Sequence, residues 1–245
     1  MPPASLLARH GLFILLLTVG GLARAASAPD VSGVVELFTS QGCSSCPPAD
    51  HLLSKLAADP SIVALSFPID YWDFIGWKDT LASPAFTARQ KAYAAALGEG
   101  HVYTPEAIVD GLTDTVGSDK QAIDRAFEIG KHSRSALSVP VALHEAGGIL
   151  QVDIGAGSNL SANVYVLRVI KSKTVMIGRG ENSGRSLTYT NVVRAIHKVA
   201  EWEGKPESIK LTELKGAGEG YIVLVQQGSE QEPGAILGAA KGVGL

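Results

Sequence analysis

The sequence predicts an α/β part followed by a β-rich part. Three observations carry that expectation. A strand, helix and strand follow one another between Val31 and Ile69, the order of a βαβ unit whose strands run parallel. Around Ser135 the texture changes to short runs of alternating hydrophobicity separated by Gly, Asn and Ser. The composition, 46% hydrophobic and 18% charged with 27 Gly and 12 Pro, suits a globular chain rather than a disordered one or a coiled coil. At 245 residues the chain is long enough for one large domain or two ordinary ones.

Taken in order, residues 1–28 begin with a weakly basic stretch through Arg9 and His10, continue in an apolar run from Leu12 to Val19 and end rich in Ala and Ser, the pattern of a secretory signal peptide. The run is shorter than the roughly 20 residues that span a bilayer, which weighs against an uncleaved anchor. Ala23-x-Ala25 supplies a small-x-small cleavage pattern and Pro29 disfavours a cut after Ala28, so residues 1–25 are expected to leave the mature chain. Residues 31–39 read as a buried strand running into the turn Ser40-Gln-Gly42. Residues 50–58 place Leu52, Leu53, Leu56 and Ala57 on one helical stripe, stopped by Asp59-Pro60, and residues 62–69 read as a second strand.

An aromatic turn follows at residues 71–77, where Trp72 and Trp77 read as core or lid packing before ligand contacts. Helices are expected at 84–97 and 119–132, the second with Asp119 in its first turn, and Thr104-Pro105 leads into a short strand at 106–110. From Val139 onward strands dominate, with one helix expected near residues 191–200. The expected organisation is an α/β unit at 29–135 and a β-rich, antiparallel and sandwich-like unit at 136–245.

Net charge is −3, from 21 basic and 24 acidic side chains, so no overall basic field exists to hold phosphate backbones and nucleic-acid binding is disfavoured. The two cysteines, Cys43 and Cys46, form a Cys-x-x-Cys pair, which reads as metal ligand, structural staple or redox dithiol. As a staple it is weak: closing so short a loop contributes about 2 kcal/mol in the chain-entropy model, against about 4.7 for a 100-residue loop. A closed zinc site needs four ligands, and the sequence has no His-x₃₋₅-His cluster to complete one. Soft thiolates favour Cu(I), which leaves a copper site from both sulfurs and His51 or His101 as an alternative. The redox reading rests on context: after a buried strand and before a helix, backbone amides and the helix dipole stabilise a thiolate. Cys43 is then the attacking nucleophile and Cys46 the resolving thiol.

The strand, Cys-x-x-Cys, helix order with a later Thr104-Pro105 ahead of a strand resembles thioredoxin-like proteins. More closely, VVELFTSQGCSSCPPAD, DYWDFIGWKD, SPAFTARQKAY, VYTPEAIVDG and GENSGRSLTYTNVVR, running from Val34 to Arg194, are similar to the secreted family called domain of unknown function 1223. That resemblance implies a thioredoxin-like fold for residues 29–135 and leaves the reaction open. It matches Cys43 and Cys46 to the dithiol and Pro105 to the cis-proline beside it, whose extended backbone edge can pair with a substrate segment. An ordinary trans proline at a strand start is the plain alternative. Glu36 falls near the buried acid that relays a proton in thioredoxins, where burial raises a carboxyl pKa toward neutrality; a solvent-facing strand residue is the alternative.

The sequence also departs from the thioredoxin pattern. Pro47-Pro48 directly after Cys46 predicts a later helix start. Gly42 stands where thioredoxins carry a tryptophan and predicts a more open approach to the sulfur, while Ser44 and Ser45 add no charge. His101, four residues ahead of Pro105, is a candidate for lowering a thiol pKa, with an ordinary loop role as its alternative. Asp70 and Asp73 read as turn caps before metal ligands. The Gly-rich run from Gly178 to Arg185 lacks the pattern of a nucleotide loop and reads as a connection between strands, with Arg179 and Arg185 as candidates for an acidic partner group.

The resulting expectation is an exported thiol–disulfide oxidoreductase or redox-responsive protein. It is expected in the periplasm or secreted, acting on protein thiols or disulfides, without nucleic acid, organic cofactor, or membrane attachment after cleavage. A copper-handling protein and a non-catalytic interaction module are the alternatives.

Overall fold

The computed structural model describes residues 30–133, 135–157, 160–212, 216 and 218–245, so the expected signal peptide at 1–25 lies outside the described residues. The chain runs β1 (Gly33–Thr39), α1 (Pro47–Leu56), β2 (Ile62–Pro68), α2 (Pro84–Ala96), β3 (Glu106–Val109), β4 (Thr113–Val116) and α3 (Lys120–His132). Strands follow: β5 (Val141–Ala146), β6 (Ile149–Ile154), β7 (Ala162–Met176), β8 (Ser186–Trp202), β9 (Glu207–Thr212), β10 (Glu219–Gly228) and β11 (Pro233–Lys241). It is a mixed α/β fold with a large, mostly antiparallel sheet and few helices. Eight strands form that sheet in the order β11-β10-β7-β8-β2-β1-β3-β4, and β5-β6-β9 form a second sheet of three. Among the described residues only the β1–β2 and β2–β8 pairs are parallel.

Central strands β1 and β2 are buried along their whole length, which explains their near-continuous apolar sequence. Alternate residues of β1 face opposite cores. Val35 and Leu37 pack with Ala49 and Leu53 of α1 and Ile123 and Ala126 of α3. Val34 and Phe38 pack on the other face with Phe86 and Tyr93 of α2 and with Leu167, Ile222 and Leu224 from β7 and β10. A further core lies between the two sheets, where Leu150, Val152 and Ile154 of β6 meet Val164, Val166, Tyr221, Val223 and Leu237 around Trp202. Each such side chain contributes about 1.5–3 kcal/mol on full burial.

The texture change near residue 136 falls between α3 and β5, and β7, β8, β10 and β11 extend the same sheet that β1 and β2 begin. At the seam only Ser66 and Val192 are in register, and side chains supply further ties. Ser66 Oγ donates to the Thr190 carbonyl (2.8 Å), Asn191 Nδ2 to the Ala64 carbonyl (2.9 Å) and Arg194 Nη1 to the Leu81 carbonyl (2.8 Å).

The helix expected at 191–200 is part of the 17-residue strand β8. Against β7, the partners jump from Val164↔Ala200 to Tyr165↔Lys198 and from Arg168↔Ala195 to Val169↔Val193. Val199 and Arg194 are thus extra residues at two β-bulges. Each breaks the two-residue alternation and produces spacings that mimic a helix. The expected helices at 84–97 and 119–132 are present as α2 and α3, with Ser83 and Asp119 as N-caps accepting from the amides of Ala85 and Ala122.

Candidate functional site: a covered disulfide

Cys43 and Cys46 are joined by a disulfide with their Cα atoms 5.4 Å apart. Strand β1 delivers Cys43 through the turn at Ser40–Gly42, and Cys46 is the N-cap of α1. The helix begins at Pro47, directly after the second sulfur, with both prolines in its first turn. Proline is tolerated there because the first amides of a helix have no intrahelical partner to lose. The Cys46 carbonyl already accepts from the amides of Ala49 (2.9 Å) and Asp50 (3.1 Å).

The Thr104–Pro105 peptide is cis, and its loop stands beside the cysteines: Ser45 Oγ reaches the Thr104 carbonyl at 3.5 Å and lies 3.3 Å from Cys43 Sγ. Ser44 and Ser45 are exposed, whereas both cysteines are 0% exposed. The open approach expected from Gly42 is therefore not observed. A Cβ on Gly42 would lie 2.9 Å from Ile75 Cδ1 and 3.2 Å from Trp72 Cβ, so the glycine lets the aromatic turn close on the loop. Gly180, at φ +80°, meets the same Ile75 methyl at 2.9 Å from its would-be Cβ. Ile75 is thus wedged between the cysteine loop and the tip of the β7–β8 hairpin.

Both tryptophans of the turn pack and donate. Trp72 Nε1 donates to Thr104 Oγ1 (2.8 Å) and Trp77 Nε1 to Gln41 Oε1 (2.9 Å). Phe74 stacks on Trp72 and is 82% exposed. Asp70 and Asp73 act as turn residues: Asp70 accepts from Thr87 Oγ1 (2.5 Å) and Asp73 from the Asp79 amide (2.9 Å). The Gly178–Arg185 run does connect two strands, β7 and β8, and it also reaches across the molecule to the cysteine loop. Asn182 Nδ2 donates to the carbonyls of Gln41 (3.0 Å) and Cys43 (2.9 Å), and the Ser44 amide donates to Glu181 Oε2 (3.0 Å). Arg185 Nη1 donates to Asn182 Oδ1 (2.7 Å) and so braces the tip.

Glu36 is fully buried, and not toward solvent, but the structure gives it a partner set of its own. Its oxygens accept from Arg89 Nε (2.6 Å), Arg89 Nη2 (2.8 Å) and Tyr93 Oη (2.7 Å), and Arg89 Nη2 also donates to Gln226 Oε1 (2.9 Å). The network ties β1, α2 and β10 together. Its signal in the sequence is Arg89 on a helical stripe with Phe86, Gln90 and Tyr93, opposite an acid in an apolar strand.

The buried acid in the turn after Cys46 is Asp50, which sequence reasoning missed. It accepts from Thr39 Oγ1 (2.8 Å), its Oδ2 has no protein partner, and burial pushes its pKa up to about 7. Its signal is an acid four residues beyond Cys46 on the apolar stripe of Ala49 and Leu53. Asp79, missed as well, accepts from the amides of Gln41, Leu81 and Ala82, and its pKa is raised by burial. Beside Pro105, burial pushes Glu106 to about 7 despite a hydrogen bond from Gln90 Nε2.

His51 and His101 are both exposed, and His101 contacts Tyr103 with ring centres 6.1 Å apart. Among the described residues no three His, Cys, Asp or Glu side chains come together as a metal-binding group. Among the same residues no helix is long and apolar enough to cross a membrane.

The chain is thus a mixed α/β protein that carries a covered disulfide at a strand-to-helix junction. The chain belongs to the family described as protein of unknown function (DUF1223), which matches residues 34–226. It is similar to a crystal structure of protein AGR_C_4864 from Agrobacterium tumefaciens, with 39% identity over 89% of this chain and 96% of that one and a TM-score of 0.80. HBP35 of Porphyromonas gingivalis shares the fold at 14% identity, with a TM-score of 0.58 over 87% of this chain and 75% of that one. No curated protein matches the chain.

Proposed function

We propose that this protein is an exported, redox-responsive disulfide protein. Its amino-terminal half is thioredoxin-like, its carboxy-terminal half is a β-rich, sandwich-like partner, and its Cys43–Cys46 pair exchanges electrons with protein thiols or disulfides. The observation that carries the reading is the placement of the bond: it joins the end of β1 to the start of α1 and sits beside the cis Thr104–Pro105 loop. The parallel β1–β2 pair, the antiparallel β1–β3–β4 set and helices on both faces agree with it. A disulfide fits the oxidising periplasm or extracellular space.

The step balances on sulfur alone. A partner thiolate attacks one sulfur of the protein disulfide, forming a mixed disulfide and releasing the other cysteine as a thiolate. A second partner thiol resolves the mixed bond, so the partner is oxidised by two electrons and the protein holds two thiols; the reverse sequence oxidises the protein. Because both sulfurs are covered, attack follows displacement of the turn at residues 71–77 or of the β7–β8 tip.

Trapping tests the reading. In reduced protein Cys43 is expected to alkylate faster than Cys46, and Cys46→Ser to accumulate mixed disulfides with partner proteins in the compartment of export. Equal, slow labelling of both cysteines with no trapped partner overturns it.

A further inference from the structure

The β7–β8 tip touches the reactive loop more closely than any requirement of sheet formation explains. Asn182 is fully buried with both amide ends committed, to two loop carbonyls and to Arg185. Glu181, its neighbour, is exposed and sets a carboxylate oxygen 3.0 Å from the amide nitrogen of Ser44, the residue directly after Cys43.

Backbone N–H groups beside a reactive cysteine stabilise its thiolate. Here that amide is taken by a carboxylate, whose charge also repels a thiolate one residue away. Resting on the redox reading above, we infer that Glu181 and Asn182 are positioning residues of the Cys43–Cys46 couple: the Asn182 amide pins the loop closed over the disulfide, and the Glu181 carboxylate, by taking the Ser44 N–H, disfavours a thiolate at Cys43. The remaining charges around the loop do not reverse this. Asp79 holds the Gln41 amide, Asp50 in the first turn of α1 is turned to Thr39, Glu106 follows Pro105, and Arg185 is turned to Asn182. The Ser44 bond itself holds the Glu181 pKa below its ordinary value, so the carboxylate is charged at neutral pH.

The couple is thereby biased toward the closed, oxidised form. Reduction leaves Cys43 to ionise only against the like charge of Glu181.

The test measures iodoacetamide labelling of Cys43 against pH in reduced protein, and the rate at which dithiothreitol opens the disulfide in oxidised protein. Glu181→Gln is expected to lower the Cys43 pKa, giving about three- to tenfold faster labelling at neutral pH, with the gain shrinking in high salt and Tm unchanged. Asn182→Ala is expected to open to dithiothreitol about tenfold faster, the equivalent of 1.4 kcal/mol of lost closure. A Glu181→Gln profile superimposable on the native one overturns the charge role, and an Asn182→Ala rate equal to the native rate overturns the pinning role. Since Glu181 is on the surface, its variant reports even where Asn182→Ala fails to fold. If the native disulfide cannot be reduced at all in folded protein, the redox reading itself fails, whatever the variants do.

Discussion

Arg89→Met separates a structural role for Glu36 from a chemical one. The substitution keeps an unbranched apolar stem but removes two charge-assisted bonds from a carboxylate that is 0% exposed, leaving it only the Tyr93 hydroxyl. Breaking one side of a buried ion pair costs about 3–5 kcal/mol. Gln226 Oε1 loses a donor as well, though Gln226 retains its own bonds to Tyr93 and the Gly234 carbonyl. Against a total stability of about 5–15 kcal/mol this is a large fraction. Glu36→Gln alone is also costly, because it strands the guanidinium. The double variant Glu36→Gln/Arg89→Met strands neither charge and is expected to cost less than the sum of the singles by about 2 kcal/mol or more. Urea unfolding of oxidised protein, followed by tryptophan fluorescence, measures all three. An Arg89→Met variant within about 1 kcal/mol of native, or a double variant as costly as the sum, would show that the Glu36–Arg89 pair does not stabilise the fold.

Other outcomes follow from the same packing. Asp50 and Glu106 titrate at about 7 and Asp110 at about 6 in the folded protein, above the values near 4 of free carboxyls. Between those values the folded state binds protons that the unfolded chain does not, so stability falls as pH rises through this window. Tm is expected to climb by several degrees from about pH 8 to about pH 6 and the climb to shrink in Asp50→Asn, as calorimetry would show; a flat profile contradicts it. Asn191→Ala removes the bond to the Ala64 carbonyl at a residue held at φ 47°, and chemical denaturation should show a loss of about 1–3 kcal/mol. Trp77→Phe removes the donor to Gln41 Oε1, and should cost about 1 kcal/mol while speeding disulfide reduction by dithiothreitol.

Much of the amino-terminal half was legible because its signals are local. Strands β1 and β2 are apolar runs, Ser83-Pro84 and Asp119 announce their helices, and Cys-x-x-Cys and Thr104-Pro105 are short motifs. Strand β8 was half legible: its bulges at Arg194 and Val199 shift the alternation that sequence reading depends on. The cover over the sulfurs was not legible. Asn182 meets Cys43 across 139 residues, and no local spacing encodes such a contact. Gly42 misled for a related reason. Without its packing partners a glycine reads as open space, whereas here it admits Ile75. Glu36 was legible as a buried acid, but its meaning depends on Arg89, which lies 53 residues away.

Exchange requires that the covered Cys43–Cys46 bond open and close reversibly in the folded protein. Equilibration in graded thiol–disulfide buffers, with the dithiol fraction read by alkylation and folding read in parallel by circular dichroism, tests it directly. One two-electron transition is expected in native protein, within the range of about −120 to −270 mV spanned by exchange proteins. A bond that stays closed below about −300 mV, or that opens only as the protein unfolds, contradicts it.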